Sequence, residues 1–420
     1  MHLEQMFCII ISMIIMHVDA NSAFLSWSSV NALKHGFEID YRTIPAVVGG
    51  DESLRHGIVL AKSVPAKKYG IVTGESLMEA RRKCPNLTVI PAEYEIYGKY
   101  SNAMYDILSQ YTPDIQRYSV DECFLDYTAS EKMFGDPVKV AYEIKDRIKN
   151  ELGFTVNVGV SVNRVLAKMG SELQKPDRVH TLWPDEIEEK LWPLPVGDLF
   201  MVGRKSAEKL RGIGIYTIGD LAHADPQLLK SIFKSHGDLM REYANGIDSE
   251  PVVSYDDYQQ KGLCHSMTID HDVSNADEAK KYLLIVCDEI ARRLRGIGAK
   301  ASRFSISIRT SDLVWYGHQV QTDVYTDITK EIYKQACELF DETWHGEKIR
   351  QLGVQTSDLL YENDDVQISM FDTKEREEDS KADSAIDAIR ARFGRNAIKM
   401  GSSIENFRQK TAINKDNNKK

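Results

Sequence analysis

The sequence predicts a multidomain α+β chain: a ferredoxin-like sheet with an insertion, then an all-helical segment, then a second α/β unit. Three observations predict it. The chain has 420 residues, more than one ordinary hydrophobic core serves, so two to four domains are expected. Strand and helix signals mix up to about residue 180, whereas the stretch from Asp185 to Gly246 reads as helix alone. After a polar stretch, Ser249–Gly262, alternating helix and strand signals resume.

In the first part, β-branched and apolar runs mark strands at Ile14–Asp19, Ala46–Val48, Ile58–Ala61, Ile115–Val120, Cys123–Tyr127 and Thr155–Val162. Helical periodicity marks Glu75–Lys83, Glu95–Gln110, Val138–Leu152 and Asn163–Leu173. Strand, long excursion, helix, hairpin, helix, strand is the order of a split βαβ sheet with an insertion after its first strand. In the last part the expected elements are helix Ala276–Leu294, strand Ser302–Arg309, helix Ile328–Glu342 and strand Ile349–Ser357. Beyond Asn363 the composition turns acidic and polar, and a mostly disordered tail is expected.

Hydrophobic residues at 42% and charged residues at 28% describe a soluble globular chain. Six scattered cysteines without a C-x-x-C pair suit a reducing, cytoplasmic compartment. The apolar run Met6–Val18 is too short to span a bilayer and lacks a preceding Lys or Arg. Its second half, Met13–Val18, reads as a buried strand, with Met13 or Met16 as the expected initiator. A net charge of -10 argues against nucleic acid only on average, because the stretch Asp364–Asp387 concentrates acid.

Two motifs carry chemistry. In HVDANSAFLSW (His17–Trp27) an apolar strand ends in Asp19, with Phe24 five residues later. In YSVDECFLDY (Tyr118–Tyr127) the adjacent carboxylates Asp121 and Glu122 lie between two strand-like runs. Along a straight strand those two would face opposite ways. At a hairpin tip both can point to one place, and a ferredoxin-like sheet sets its first strand beside that hairpin. Asp19, Asp121 and Glu122 would then converge, which needs cations. Oxygen-only ligands favour magnesium, and a pair of such ions fits in-line phosphoryl transfer. Alone, the Asp-Glu pair is equally well three unrelated surface acids with Asp19.

HVDANSAF, then YSVDE, then VNVGVSVNRVLAKMGSELQKP in that order resemble the Y-family DNA polymerases, specifically the bacterial DNA polymerase IV (DinB-type) group. The likeness runs from Ile14 to about Thr356. It implies a template-directed, low-fidelity, translesion polymerase acting on primer-template DNA and deoxynucleoside triphosphates. By that resemblance Asp19, Asp121 and Glu122 are the catalytic carboxylates holding two Mg2+ ions, and Phe24 is the ring that excludes a ribose 2′-hydroxyl. Lys67 and Lys175 are its triphosphate-binding positions, with Val64 and Lys67 standing where the family usually has Tyr and Arg. Lys keeps the charge but loses the bidentate fork.

The resemblance also implies a domain layout. A palm covers 13–22 and 94–182, fingers 23–93, a thumb 183–248, a linker 249–262, a little finger 263–362 and an acidic tail 363–420. The stretch MVGRKSAEKLRGIGIYTIGDL (Met201–Leu221) resembles a helix-hairpin-helix, in which Gly203, Arg204 and Lys205 would meet a DNA phosphate. Met201 replaces its usual first glycine. On strand Ser302–Thr310, Arg303 and Arg309 share a polar face with Ser305 and Ser307, with Arg295 and Lys300 just before it. QISMF (Gln367–Phe371) resembles a sliding-clamp peptide, with Gln367, Met370 and Phe371 as its contacts. A monomer without membrane association is expected. Two other readings remain: a nucleotidyl cyclase-like enzyme on a similar sheet, and a DNA-binding accessory protein with a decayed site.

Overall fold

The computed structural model describes residues 13–51, 57–254, 259–361 and 374–398. These fall into two compact units, 13–50 with 57–254, and 259–361 with 374–398.

The first unit is built on β1 (Ile15–Ala20), whose six residues are all buried. A strand covered on both faces reads as a continuous apolar run. Helix α1 (Ala23–Lys34) follows at once and packs on the sheet. A small three-stranded sheet comes next: β2 (Ala46–Gly49), β3 (Val59–Lys62) and β4 (Thr88–Pro91) in the order β3-β2-β4. With helix α2 (Leu77–Lys83) and the turn of helix Val64–Lys67 it encloses its own small core of Val47, Val59, Ala66, Leu77 and Ala80. This is the expected insertion.

The main sheet is completed by β5 (Ile115–Arg117), β6 (Glu122–Asp126), β7 (Val156–Ser161) and β8 (Val179–Thr181), in the order β5-β6-β1-β7-β8. β1 is antiparallel to both β6 and β7, and Asp19 lies opposite Glu122 in register. One face is covered by α3 (Tyr94–Leu108) and α4 (Pro137–Arg147), which join the large core around Met104, Ile107 and Ile144. The other face carries α5 (Arg164–Glu172), packed on β1 and β7. Because side chains alternate, Ile15, His17 and Asp19 all face α5. That helix comes very close at Gly159, where a Cβ would lie 1.9 Å from the Ala167 carbonyl oxygen. Any side chain there would force α5 off the sheet.

The helical stretch forms α6 (Arg204–Gly212), α7 (Ile218–His223), α8 (Pro226–Phe233) and α9 (Ser235–Ala244) around Leu210, Leu221, Leu229 and Met240. Pro226 at the start of α8 follows the Asp225 cap, which accepts from the Gln227 amide.

In the second unit, β9 (Gly262–Val273), α10 (Ala276–Gly296), β10 (Ala299–Thr310), β11 (Trp315–Thr326), α11 (Thr329–Thr343) and β12 (Ile349–Tyr361) form an antiparallel sheet. Its order is β11-β10-β12-β9, with both helices on one face over Phe304, Ile306, Ile308 and Val354. No helix among the described residues is long and apolar enough to cross a membrane.

One expectation is corrected. The region beyond Asn363 is not acid without structure, because Lys374–Phe393 form a 20-residue helix, α12. Its acids pair with the second unit: Arg295 binds Asp387 at 2.6 Å and Asp383 at 3.1 Å, and Lys330 reaches Glu375 and Asp379. Arg376 and Arg390 answer Glu331 and Asp288. Asp383 also accepts from the Thr329 amide at 2.8 Å, capping α11. No apolar stripe announced this helix, since it is held by charge.

Candidate active site

Asp19 sits at the end of β1 and is 6% exposed. Its Oδ2 accepts from Lys175 Nζ at 2.8 Å, and Lys175 donates equally at 2.8 Å to Glu172. Opposite, Glu122 opens β6 and accepts from Lys168 Nζ at 2.8 Å. His17 Nε2 lies 3.6 Å from the same oxygen, while its Nδ1 meets Ser171 Oγ at 2.7 Å. Lys168, Ser171, Glu172 and Lys175 recur at helical spacing, so α5 and the turn after it present them together to the end of β1.

Asp19, Glu122 and Glu172 each bring a carboxylate oxygen into one group, all within 4.8 Å of one another. Burial pushes the Asp19 carboxyl up to about 7 although Lys175 opposes it. At Glu122 burial acts the same way, but His17 and Lys168 outweigh it and hold the carboxyl down at about 2. Burial, aided by Lys168, lowers the His17 imidazole to about 4. Two ammonium groups thus stand against three carboxylates and leave one carboxylate charge unmatched. A donor set of hard oxygens whose charge needs positive partners fits a divalent cation.

The sequence reading grouped Asp19 with Asp121 and Glu122. In the structure the third member of the close group is Glu172, and Asp121 takes a hydrogen bond from Ser119 Oγ at 2.6 Å. Asp121 is nonetheless beside β1, since its carbonyl accepts from the Ala20 amide at 3.0 Å.

Phe24 lies in the first turn of α1, half-buried, stacked on Tyr97 with ring centroids 4.4 Å apart and planes 10° from parallel. Tyr97 is fixed by core packing and by a 3.1 Å contact with Ser28 Oγ. Phe24 is therefore part of a rigid aromatic stack, not an isolated ring.

Lys67 ends the one-turn helix capped by Ser63, whose Oγ accepts from the Ala66 amide at 3.1 Å. Burial first, then Lys67, pulls down the neighbouring Lys62 ammonium, against Glu75.

Gly203 caps α6, and Arg204 and Lys205 are exposed in its first turn. Met201 adopts φ +67°, the left-handed conformation that the usual glycine would supply freely. In the second unit Arg303 and Arg309 stand on the sheet face away from the helices. Arg303 donates to Gln321 at 2.7 Å, and Arg309 stacks over Trp315. Arg295, grouped with them in the sequence reading, does not belong there: its side chain is 11% exposed and is taken up by α12. Gln367, Met370 and Phe371 lie outside the described residues.

Comparison with known proteins gives a consistent result. The impB/mucB/samB family matches residues 18–172, its C-terminal domain matches 260–370, and the IMS family HHH motif matches 184–215. The DNA polymerase IV of Clostridium acetobutylicum is 48% identical over 394 residues, 94% of this chain and 99% of that one. DNA polymerase IV 2 of Bacillus subtilis is 35% identical over 368 residues, covering 86% of this chain and 88% of its own. Among solved structures, a Y-family DNA polymerase chimera superposes with a TM-score of 0.71 at 21% identity, over 83% of this chain and all of the other. At that identity the superposition speaks for the fold.

Proposed function

The chain belongs to the impB/mucB/samB family, the Y-family polymerases of the DNA polymerase IV type, and from that premise we propose how its residues divide the work of translesion DNA synthesis. Its substrates are primer-template DNA and deoxynucleoside triphosphates. The reading rests above all on one observation: Asp19 and Glu122 face each other across β1 and β6 with lysine ammonium groups on both.

Asp19, Asp121 and Glu122 would hold two Mg2+ ions, with Asp121 turning away from Ser119 to join them. When bound, such ions activate a primer 3′-hydroxyl and hold the triphosphate with its leaving pyrophosphate. Lys175 then faces the triphosphate from the palm side and Lys67 from the fingers. Phe24, backed by Tyr97, limits the space at the sugar C2′, where a single oxygen separates the two substrate classes.

In the domain reading, 13–22 and 94–182 act as the palm, 23–93 as fingers, 183–248 as thumb and 263–362 as little finger. Gly203, Arg204 and Lys205 offer a helix start to one DNA phosphate, while Arg303 and Arg309 follow the backbone elsewhere. Such contacts carry no sequence information, as copying requires. Gln367, Met370 and Phe371 would dock on a sliding clamp, raising the effective concentration of the enzyme at the primer end. The chain is taken to act as a cytoplasmic monomer.

Neither a cyclase-like enzyme nor a decayed accessory protein is favoured, because the relatives are polymerases and the carboxylates and Phe24 are all present. Templated extension of a labelled primer by the purified chain tests the reading. Addition of the complementary nucleotide supports it, and failure with active relatives run alongside would reject it.

A further inference from the structure

The close carboxylate group contains a residue to which the proposed chemistry gives no task. Glu172 lies within the 4.8 Å group of Asp19 and Glu122, yet it is the most open of the three, its side chain 42% exposed against 8% for Asp19 and 19% for Glu122. A third like charge at such range is unfavourable unless it has a cation to hold. The cation it holds is Lys175, three residues further along, at 2.8 Å.

Lys175 is forked. The same ammonium donates to buried Asp19 and to open Glu172. A divalent cation at Asp19 Oδ2 would repel the ammonium that this oxygen already accepts, so the two compete for it. We propose that Lys175 is the resident counter-cation of Asp19, that it leaves when a divalent cation binds there, and that Glu172 is the positioning residue that retains it. Glu172 stands nearer solvent, so a lysine held by Glu172 alone sits further out, where an incoming triphosphate arrives. The exchange couples filling of the carboxylate site to presentation of Lys175, with no backbone motion required. It rests on the reading that Asp19 is a cation ligand and Lys175 a triphosphate contact.

The exchange makes a prediction about binding that involves no turnover. Mn2+ binding is measured by electron paramagnetic resonance on the full chain with a dideoxy-terminated primer-template and no nucleotide. Lys175→Ala removes the competitor and should tighten Mn2+ about fivefold. Glu172→Gln leaves Lys175 with Asp19 as sole partner and should weaken Mn2+ about fivefold, whereas Glu172→Asp should stay within about twofold of wild type. In the Lys175→Ala background, Glu172→Gln should change affinity by less than about twofold, because the residue acts through the lysine.

An equal weakening in both backgrounds would overturn the proposal, showing that Glu172 acts on the cation directly. So would an unchanged affinity in Lys175→Ala. Asp19→Asn separates the two layers of the argument: if it binds Mn2+ as well as wild type, the carboxylate site itself is misassigned. If it loses binding while the double-variant effects simply add, only the exchange fails.

Discussion

Arg295→Ala should free α12 from the second unit. Arg295 is 11% exposed at its side chain and faces Asp383, 9% exposed, and Asp387, 24% exposed. It also donates to the Asp327 carbonyl at 2.7 Å. Removing one partner of a buried ion pair typically costs about 3–5 kcal/mol, because the other charge stays desolvated. The other attachments of α12 are ionic too. The buried residue of α12 is Asp383 itself, and the exposed Lys330 pairs are worth about 0–1 kcal/mol each. The Arg390–Asp288 pair, with side chains 9% and 17% exposed, and Arg376, which reaches Glu331 at 2.9 Å and the Tyr325 carbonyl at 2.7 Å, are the anchors that remain.

Leaving the surface returns Asp383 and Asp387 to water, so the loss is capped at the docking free energy of the helix. The global cost should be only about 1 kcal/mol, from losing the Asp383 cap on α11. Hydrogen exchange across residues 376–390 should accelerate about tenfold to a hundredfold, while β10 and β12 keep their protection. Unchanged protection of α12, with the full buried-pair cost appearing in global unfolding, would refute this reasoning.

Phe24→Ala should raise the ribonucleotide-to-deoxyribonucleotide ratio of kcat/KM by about tenfold or more, and steady-state incorporation with matched nucleotides checks it. An unchanged ratio would make the Phe24–Tyr97 stack a packing feature alone. Lys67→Ala should raise the nucleotide KM several-fold, whereas Lys67→Arg, which adds a bidentate fork, should hold or lower it. Equal KM values for all three would place Lys67 on an ordinary surface. Replacing Gln367, Met370 and Phe371 by Ala should abolish calorimetric binding to a sliding clamp and spare extension of short templates. Wild-type clamp affinity in the triple variant would exclude the motif.

What the sequence made legible follows from burial. β1, β6 and β7 are covered on both sides, so their apolar runs stood out, and β1 ends one residue from its expected limit. α1 was harder to see, because its core face includes buried Ser26, Ser28 and Ser29. β11 escaped for the opposite reason: as an edge strand, Trp315–Thr326 is mostly exposed and has no apolar alternation. α12 was unreadable by periodicity, since its attachment is ionic and its partners lie 45 to 102 residues away in sequence.

The site divides similarly. Asp19 and Glu122 were legible from their motifs, and strand pairing brings them opposite each other. Glu172 required the helix face, although the spacing of Lys168, Glu172 and Lys175 was already available as a signal. Lys168, which neutralises Glu122, was overlooked because a lysine within LAKMGSE reads as a solvated helix charge.

The role proposed for the carboxylate pair bridging β1 and β6 is to drive templated nucleotide addition. It is tested most directly by primer extension with Mg2+, comparing wild type with Asp19→Asn and Glu122→Gln, alongside primer-template binding by fluorescence anisotropy. Wild type should add the complementary nucleotide, and both amide variants should lose about three orders of magnitude in rate while binding DNA within about twofold of wild type. Near-wild-type extension by both amide variants would contradict the account.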